Sequence, residues 1–193
     1  MTPSFILASQ SLRRQELLRQ LNYAFTVRPA NVAEQPGAGE LPTQYAQRVA
    51  LDKARAAQAA AADDLPVLGA DTDVVLDGRI LGKPRDRDDA LKMLAALSGR
   101  QHEVMSAVAL VHGEREALAL SVTTVEFGVI SADAARRYWD SGEPADKAGA
   151  YGIQGLGAQF VKAISGSYSG VVGLPLYETV RLLEQFGITP GPQ

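Results

Sequence analysis

Four places along this chain gather residue types that handle phosphate esters. The first is Ser9-Gln10-Ser11-Leu12-Arg13-Arg14, directly after the apolar run Phe5-Ile6-Leu7. Leu12, Leu17, Leu18 and Leu21 fall roughly on one face of the helix that follows, with Ser11 as its N-cap. Hydroxyls, backbone N–H groups left free at a helix start and two guanidinium groups then meet in one small volume, which suits a phosphate. The plain alternative is a serine that only caps and two arginines in solvent.

The second place is Gly69-Ala70-Asp71-Thr72, read as the end of an apolar strand. A carboxylate at a strand end faces the crevice where α/β proteins bind ligands, where Asp71 can hold a divalent cation, deprotonate a water, or do both. Otherwise it is a turn aspartate. Lys83, in Gly82-Lys83-Pro84, adds a cation beyond the next strand, or is a solvated edge lysine. The third place is Asp146-Lys147-Ala148-Gly149-Ala150-Tyr151-Gly152-Ile153-Gln154-Gly155. Its glycines permit close backbone approach to a ligand, and Gln154 offers an amide with one acceptor and two donors. The competing reading is a surface loop with Lys147 in a weak ion pair. The fourth is Lys53, which shares a helix face with Ala46, Val49 and Ala50 and either snorkels or reaches into a site. His102 lacks metal-ligand spacing and reads as structural, and Tyr138 and Trp139 as packing residues.

The elements that must position these groups follow from periodicity and turn chemistry. Strands are expected at Phe5–Leu7, Ala24–Val27 and Pro66–Gly69. Val74–Leu76 and Arg79–Leu81 should form a tight hairpin around Asp77-Gly78, since Asp-Gly suits the positive dihedrals of a two-residue turn. Residues 103–111 and 117–129 read as a second, longer hairpin around His112-Gly113-Glu114-Arg115, and Gln159–Ile164 as a strand. A further short strand is expected beyond the loop Gly166–Gly173. Helices are expected from Ser11, over about 43–62 and 86–97, from Ser131, and over 175–186. Hairpins mixed with strand–helix alternation call for a mixed twisted sheet flanked by helices, in the α/β class, rather than an all-parallel one.

Composition narrows the ligand. The chain has 193 residues, 46% of them hydrophobic, and a mean hydropathy of -0.05, as expected of one globular domain with a substantial core. Nineteen basic against 22 acidic residues leave a net charge of -3, which argues against long nucleic acid but not against a small anion held by local cations. The absence of cysteine excludes disulfides, thiolate metal sites and thiol nucleophiles, and suits a reducing cytoplasm. With only His102 and His112, a histidine zinc site has too few ligands. No apolar run reaches the roughly 20 residues a membrane span needs.

Taken in order, Ser9-x-Ser11-x-Arg13-Arg14-x-x-Leu17-Leu18, Gly69-Ala70-Asp71-Thr72, Gly82-Lys83-Pro84, Leu97-Ser98-Gly99-x-x-His102-x-Val104, Asp146-Lys147-Ala148-Gly149-x-Tyr151-x-Ile153-Gln154-Gly155 and Gly166-Ser167-Tyr168-x-x-Val171-Val172-Gly173-Leu174-Pro175 resemble the Maf family of nucleotide pyrophosphatases. The resemblance implies a cytoplasmic, homodimeric enzyme. It implies a two-lobed single domain over 1–193, of a fold related to inosine triphosphate pyrophosphatases, with its active site in the cleft. It implies cleavage of nucleoside triphosphates to monophosphate and pyrophosphate with Mg²⁺ or Mn²⁺. Lys147 with Ile153-Gln154 resembles the dTTP/UTP subgroup rather than the sister subgroup acting on 7-methyl-GTP. By the same resemblance Asp71 is the proton acceptor and, with Glu34, the metal side. Arg13, Thr72 and Gln154 bear on substrate choice, and Ser9, Arg14, Lys53, Lys83 and Lys147 belong to the binding pocket. Modified pyrimidine nucleotides and CTP remain open as substrates. A non-catalytic nucleotide-binding regulator of division and septum formation is the rival class. Two departures from the family pattern stand out: Leu12 where proline is common, and Asp73 where an apolar residue is expected, close enough to alter metal affinity or repel a phosphate.

Overall fold

The computed structural model describes residues 2–191. A mixed seven-stranded sheet organises them: β1 (Phe5–Leu7), β2 (Phe25–Val27), β3 (Val67–Leu76), β4 (Arg79–Leu81), β5 (Gln101–His112), β6 (Arg115–Phe127) and β7 (Val161–Ser165). The spatial order is β2-β1-β3-β5-β6-β7, with β4 also paired to β3. β1 runs parallel to β2 and β3, and the remaining pairs are antiparallel. The helices are α1 (Leu12–Gln20), α2 (Pro42–Ala59), α3 (Arg87–Leu97), α4 (Ala132–Asp140), α5 (Tyr168–Val172) and α6 (Leu176–Gln185), with three 3₁₀ turns between residues 143 and 160. No helix among the described residues is long and apolar enough to cross a membrane. The mixed α/β architecture is the one expected from the sequence.

Local chemistry sets the helix starts. Ser11, Asp86, Ser131 and Ser167 each accept a backbone N–H with the side chain, satisfying a donor the helix itself leaves free. Pro42 opens α2, where its fixed φ and missing N–H cost nothing. Alternation along the strands then separates three apolar clusters. On one face of the sheet Ile6, Val67, Val75, Ala107 and Ala109 pack on Ala46, Ala50, Ala54 and Ala57 of α2. On the other face Leu7, Leu68, Ala70, Val108 and Leu110 pack on α1 and α6, while Val74, Leu76, Val104 and Val125 pack on α3 and α4. Between those two clusters runs a polar row. Thr72 pairs with Ser106, and Ser106 with Ser121, across three neighbouring strands.

Three expectations need correction. Asp71 does not end a strand: β3 continues from Val67 to Leu76, because β5 pairs with it from Val67↔Val111 to Val75↔Glu103. The second hairpin is the longer one, as expected, but its connection is the two residues Gly113-Glu114 rather than four, with His112 opposite Arg115 and Gly113 at φ 60°. The expected loop Gly166–Gly173 holds the short helix α5, capped by Ser167 with its hydroxyl accepting from Gly170 N–H at 3.0 Å, and among the described residues no strand follows it.

Candidate active site

β3 changes partners along one edge, and that change makes an opening. β1 pairs with it only as far as Leu68, and β4 only from Val74. Leu68 offers its carbonyl to Ala8, so alternation turns the backbone groups of Ala70 and Thr72 toward the same edge. Asp71, Thr72 and Asp73 therefore sit where neither strand covers β3, between the end of the β1 pairing and the start of the β4 pairing.

On the α2 face, the Lys53 ammonium lies between two carboxylates. Its Nζ is 2.8 Å from Asp71 Oδ1 and 2.7 Å from Glu34 Oε1. Lys53 is buried against these acids rather than snorkelling to solvent, while Glu34 is exposed. The close approach of α2 that permits this depends on Gly69, where a Cβ would lie 2.1 Å from the Ala50 carbonyl oxygen. Asp73, two residues from Asp71, points to the same face and is 93% buried by the 7% exposure it retains, with Oδ2 lacking a hydrogen-bond partner among the described residues. Burial, and then the charge of Asp71, raise its pKa far above the carboxylate range. Tyr45, one and two turns before Val49 and Lys53 on α2, is buried beside the same acids; burial, then Asp73, Asp71 and Glu34, push its phenol up.

On the opposite face Arg14 crosses from α1 to the opening. Its Nη1 donates to Ser9 Oγ at 3.1 Å, Nη2 to Thr72 Oγ1 at 3.2 Å, and Nε to the Gly173 carbonyl at 2.7 Å. Thr72 also donates to Gly173 O at 3.2 Å, and Ser106 bonds both Thr72 Oγ1 and the Gly170 carbonyl, at 3.1 and 2.6 Å. Every direct partner of the guanidinium is neutral. Burial lowers its pKa, and the more distant Asp71 and Glu34 oppose that shift. A cation partly stripped of water, without a carboxylate in contact, has unused capacity for an anion.

The loop at 146–157 forms the neighbouring wall. Gly149 N–H donates to the Gly82 carbonyl at 3.1 Å, which ties this loop to the residue before Lys83. Lys83 is exposed, and Arg13 acts on Asp146 through its charge. Ile153 is buried in the α1–α6 cluster, and beside it Gln154 stands exposed. The glycines here make room for side chains rather than for a ligand, which corrects the expectation from sequence. A Cβ at Gly155 would lie 2.2 Å from Glu143 Oε2, one at Gly157 2.6 Å from the Tyr138 hydroxyl, and one at Gly152 2.9 Å from the Lys147 stem. Lys147 Nζ donates to the Glu143 carbonyl at 2.6 Å and to Asp146 Oδ1 at 2.7 Å.

The structure thus joins Ser9, Arg14 and Thr72 in one cluster and Lys53, Asp71 and Glu34 in another, on the two sides of one opening. Lys83 and Gln154 are exposed on or beside the neighbouring loop and Lys147 is bonded within it, so no contact brings these three side chains to either cluster. Ser106, Tyr45 and the Gly173 carbonyl were not singled out from the sequence. Ser106 had a signal, a hydroxyl interrupting the apolar alternation of Val104 and Val108; a backbone carbonyl such as Gly173's leaves none.

The geometry is that of two acids paired with one lysine, beside an arginine whose direct partners among the described residues are all neutral. Residues 4–186 match the family described as Maf-like protein, and the chain belongs to that family. It is 54% identical over 185 residues to a protein of Saccharophagus degradans named dTTP/UTP pyrophosphatase, covering 94% of this chain and 88% of that one. It is 52% identical to the protein of the same name from Bordetella avium, over 96% of each chain. The protein of that name from Yersinia pestis is 55% identical over 180 residues, covering 93% of this chain and 91% of its own. The resemblance drawn from the motifs, including the dTTP/UTP subgroup, is borne out.

Proposed function

We propose that this chain is a nucleoside triphosphate pyrophosphatase that hydrolyses dTTP and UTP to the monophosphate and pyrophosphate. The observation that carries the reading is the opening in the β3 edge, with Asp71 and Lys53 on one side and Arg14 on the other. Relatives named for this activity, at 52–55% identity over most of their length, support it.

In this reading Arg13, Arg14, Lys53 and Lys83 neutralise the triphosphate, while Ser9 and Thr72 hold Arg14 in place. Asp71 orients a water and accepts its proton as the water attacks the α-phosphorus, and pyrophosphate leaves in line. Catalysis rests on positioning and charge stabilisation, without a phosphoenzyme. The donor set fits a divalent cation. Asp71 and Glu34 already converge on one positive charge, Lys53 Nζ, and Mg²⁺ is held by one or two carboxylates plus substrate phosphates rather than by a full protein cage. A bound Mg²⁺ or Mn²⁺ would supply charge neutralisation on the phosphate oxygens. Gln154 reads the base: uracil and thymine present an acceptor at O4 and a donor at N3, which one amide satisfies together.

The test is product release from a panel of dTTP, UTP, CTP, 7-methyl-GTP and purine triphosphates with Mg²⁺ or Mn²⁺. Pyrophosphate and monophosphate in equal amounts, fastest from dTTP and UTP, are expected. Preference for 7-methyl-GTP would move the chain to the sister activity, and binding without turnover would leave a nucleotide-binding regulator.

A further inference from the structure

Gln154 sits in a stretch without regular secondary structure, yet an amide that reads a base must be held in one orientation, since its flipped form presents the reverse pattern to cytosine. The described residues show what holds that stretch. Glu143 Oε2 accepts the Leu156 N–H at 2.7 Å, and Oε1 accepts the Gly157 N–H at 3.1 Å and the Tyr138 hydroxyl at 2.7 Å. The Tyr138 hydroxyl in turn accepts the Gly152 N–H at 3.0 Å. The backbone is therefore bonded on both sides of Gln154, at 152 and at 156–157, to one carboxylate–phenol pair. Lys147 closes the arrangement from behind by bonding the Glu143 carbonyl. The fit is tight enough that Gly152, Gly155 and Gly157 have no space for a Cβ. Tyr138 is buried in the α4 cluster, so the pair is anchored to a packed helix rather than to solvent. Burial disfavours the Glu143 carboxylate, but the bonds from Tyr138, Leu156 and Gly157 and the charge of Lys147 outweigh it and hold its pKa below the ordinary value.

We propose that Glu143, acting with Tyr138, is the positioning residue that fixes the base-reading loop and thereby sets which pyrimidine Gln154 accepts. This rests on the reading of Gln154 given above. Glu143 reaches the loop from underneath, through backbone N–H groups, so its role is in base selection and not in the attack on phosphorus. Loss of its carboxylate frees two loop N–H groups and the Tyr138 hydroxyl at once while leaving Asp71, Lys53 and Arg14 in place.

The experiment measures kcat and KM for dTTP, UTP and CTP, with melting temperatures, in Glu143→Ala, Glu143→Gln, Tyr138→Phe, Gln154→Ala and the Glu143→Gln/Gln154→Ala double variant. Glu143→Ala should raise KM for dTTP and UTP about tenfold or more, change kcat far less, and narrow the preference for UTP over CTP. Glu143→Gln, which keeps one acceptor oxygen, and Tyr138→Phe should shift the same quantities in the same direction by less. If Glu143 acts through Gln154, the double variant should be no less selective than Gln154→Ala alone. Should Glu143→Ala fail to fold, Glu143→Gln and Tyr138→Phe carry the test by themselves. Equal losses of kcat for all three nucleotides with selectivity unchanged, or an additive double variant, would overturn the proposal. Selectivity that follows Gln154→Ala but none of the Glu143 or Tyr138 variants sinks this inference alone. Selectivity indifferent to Gln154→Ala sinks both it and the base-reading assignment beneath it.

Discussion

Lys53 and His102 are both buried polar side chains, and the contrast between them separates a site from a core. Lys53 is buried between two carboxylates, Asp71 and Glu34, so its ammonium is paired on both sides. His102 has one partner, the Tyr151 hydroxyl at 2.8 Å, while its Nδ1 has none among the described residues, and its ring packs edge-on against Phe127 and Tyr151. It is a structural histidine, as its lack of ligand spacing suggested. Burial depresses its pKa to about 4, against roughly 6.5 for an unfolded histidine. The sign follows. Above pH 6.5 the ring is neutral in both states and costs nothing; as pH falls toward 4 the unfolded chain takes up a proton that the native pocket refuses, and stability is lost. Wild type should therefore lose up to about 3 kcal/mol more than His102→Gln between pH 7 and pH 4 in urea unfolding. Parallel pH profiles for the two proteins would show that the ring is protonated in the fold.

At the scale of elements, β3 decides the site. One strand with a constant partner on its β5 edge and two short partners on the other leaves residues 69–73 uncovered, and α2 brings Lys53 over that gap. Gly69 is the point of contact. Its missing Cβ would strike Ala50 O at 2.1 Å and Ala54 N at 2.8 Å, both backbone atoms of α2 that no rotamer change can move. Gly69→Ala should destabilise by about 3 kcal/mol, lowering the melting temperature by several degrees, and weaken activity further by lifting Lys53 from Asp71. A melting temperature within about 1 °C of wild type would show that α2 tolerates displacement. The sequence made the helix caps and the apolar β1 legible, because serine, aspartate and proline act locally. It hid the continuity of β3. Asp71-Thr72-Asp73 reads as turn chemistry, and only pairing with β5, some 35 residues away, overrides that local preference. The same long-range logic hid α5, and it misassigned the glycines of the 146–157 loop, whose reason lies in Glu143, Lys147 and Tyr138 rather than in a ligand.

At the scale of the whole molecule, a net charge of -3 offers a polyanion nothing, whereas chain folding concentrates Arg14, Lys53 and their neighbours around one opening. The candidate site residues were legible because the residue types announce themselves: arginines after a serine cap, and an aspartate beside a threonine. Their division between two faces of a sheet was not, since it depends on where β1 stops and β4 starts. Asp73 was legible as an oddity, and the fold shows its consequence, a carboxylate buried against Asp71 without a full set of partners. In the proposed mechanism Asp71 carries the central chemical role. The direct measurement is pyrophosphate release from dTTP by Asp71→Asn, alongside its melting temperature and dTTP binding. A protein that folds and binds dTTP but turns over at least about a thousandfold more slowly is the predicted result. Turnover near that of wild type would contradict the account, because the water would then be activated without the carboxylate assigned to accept its proton.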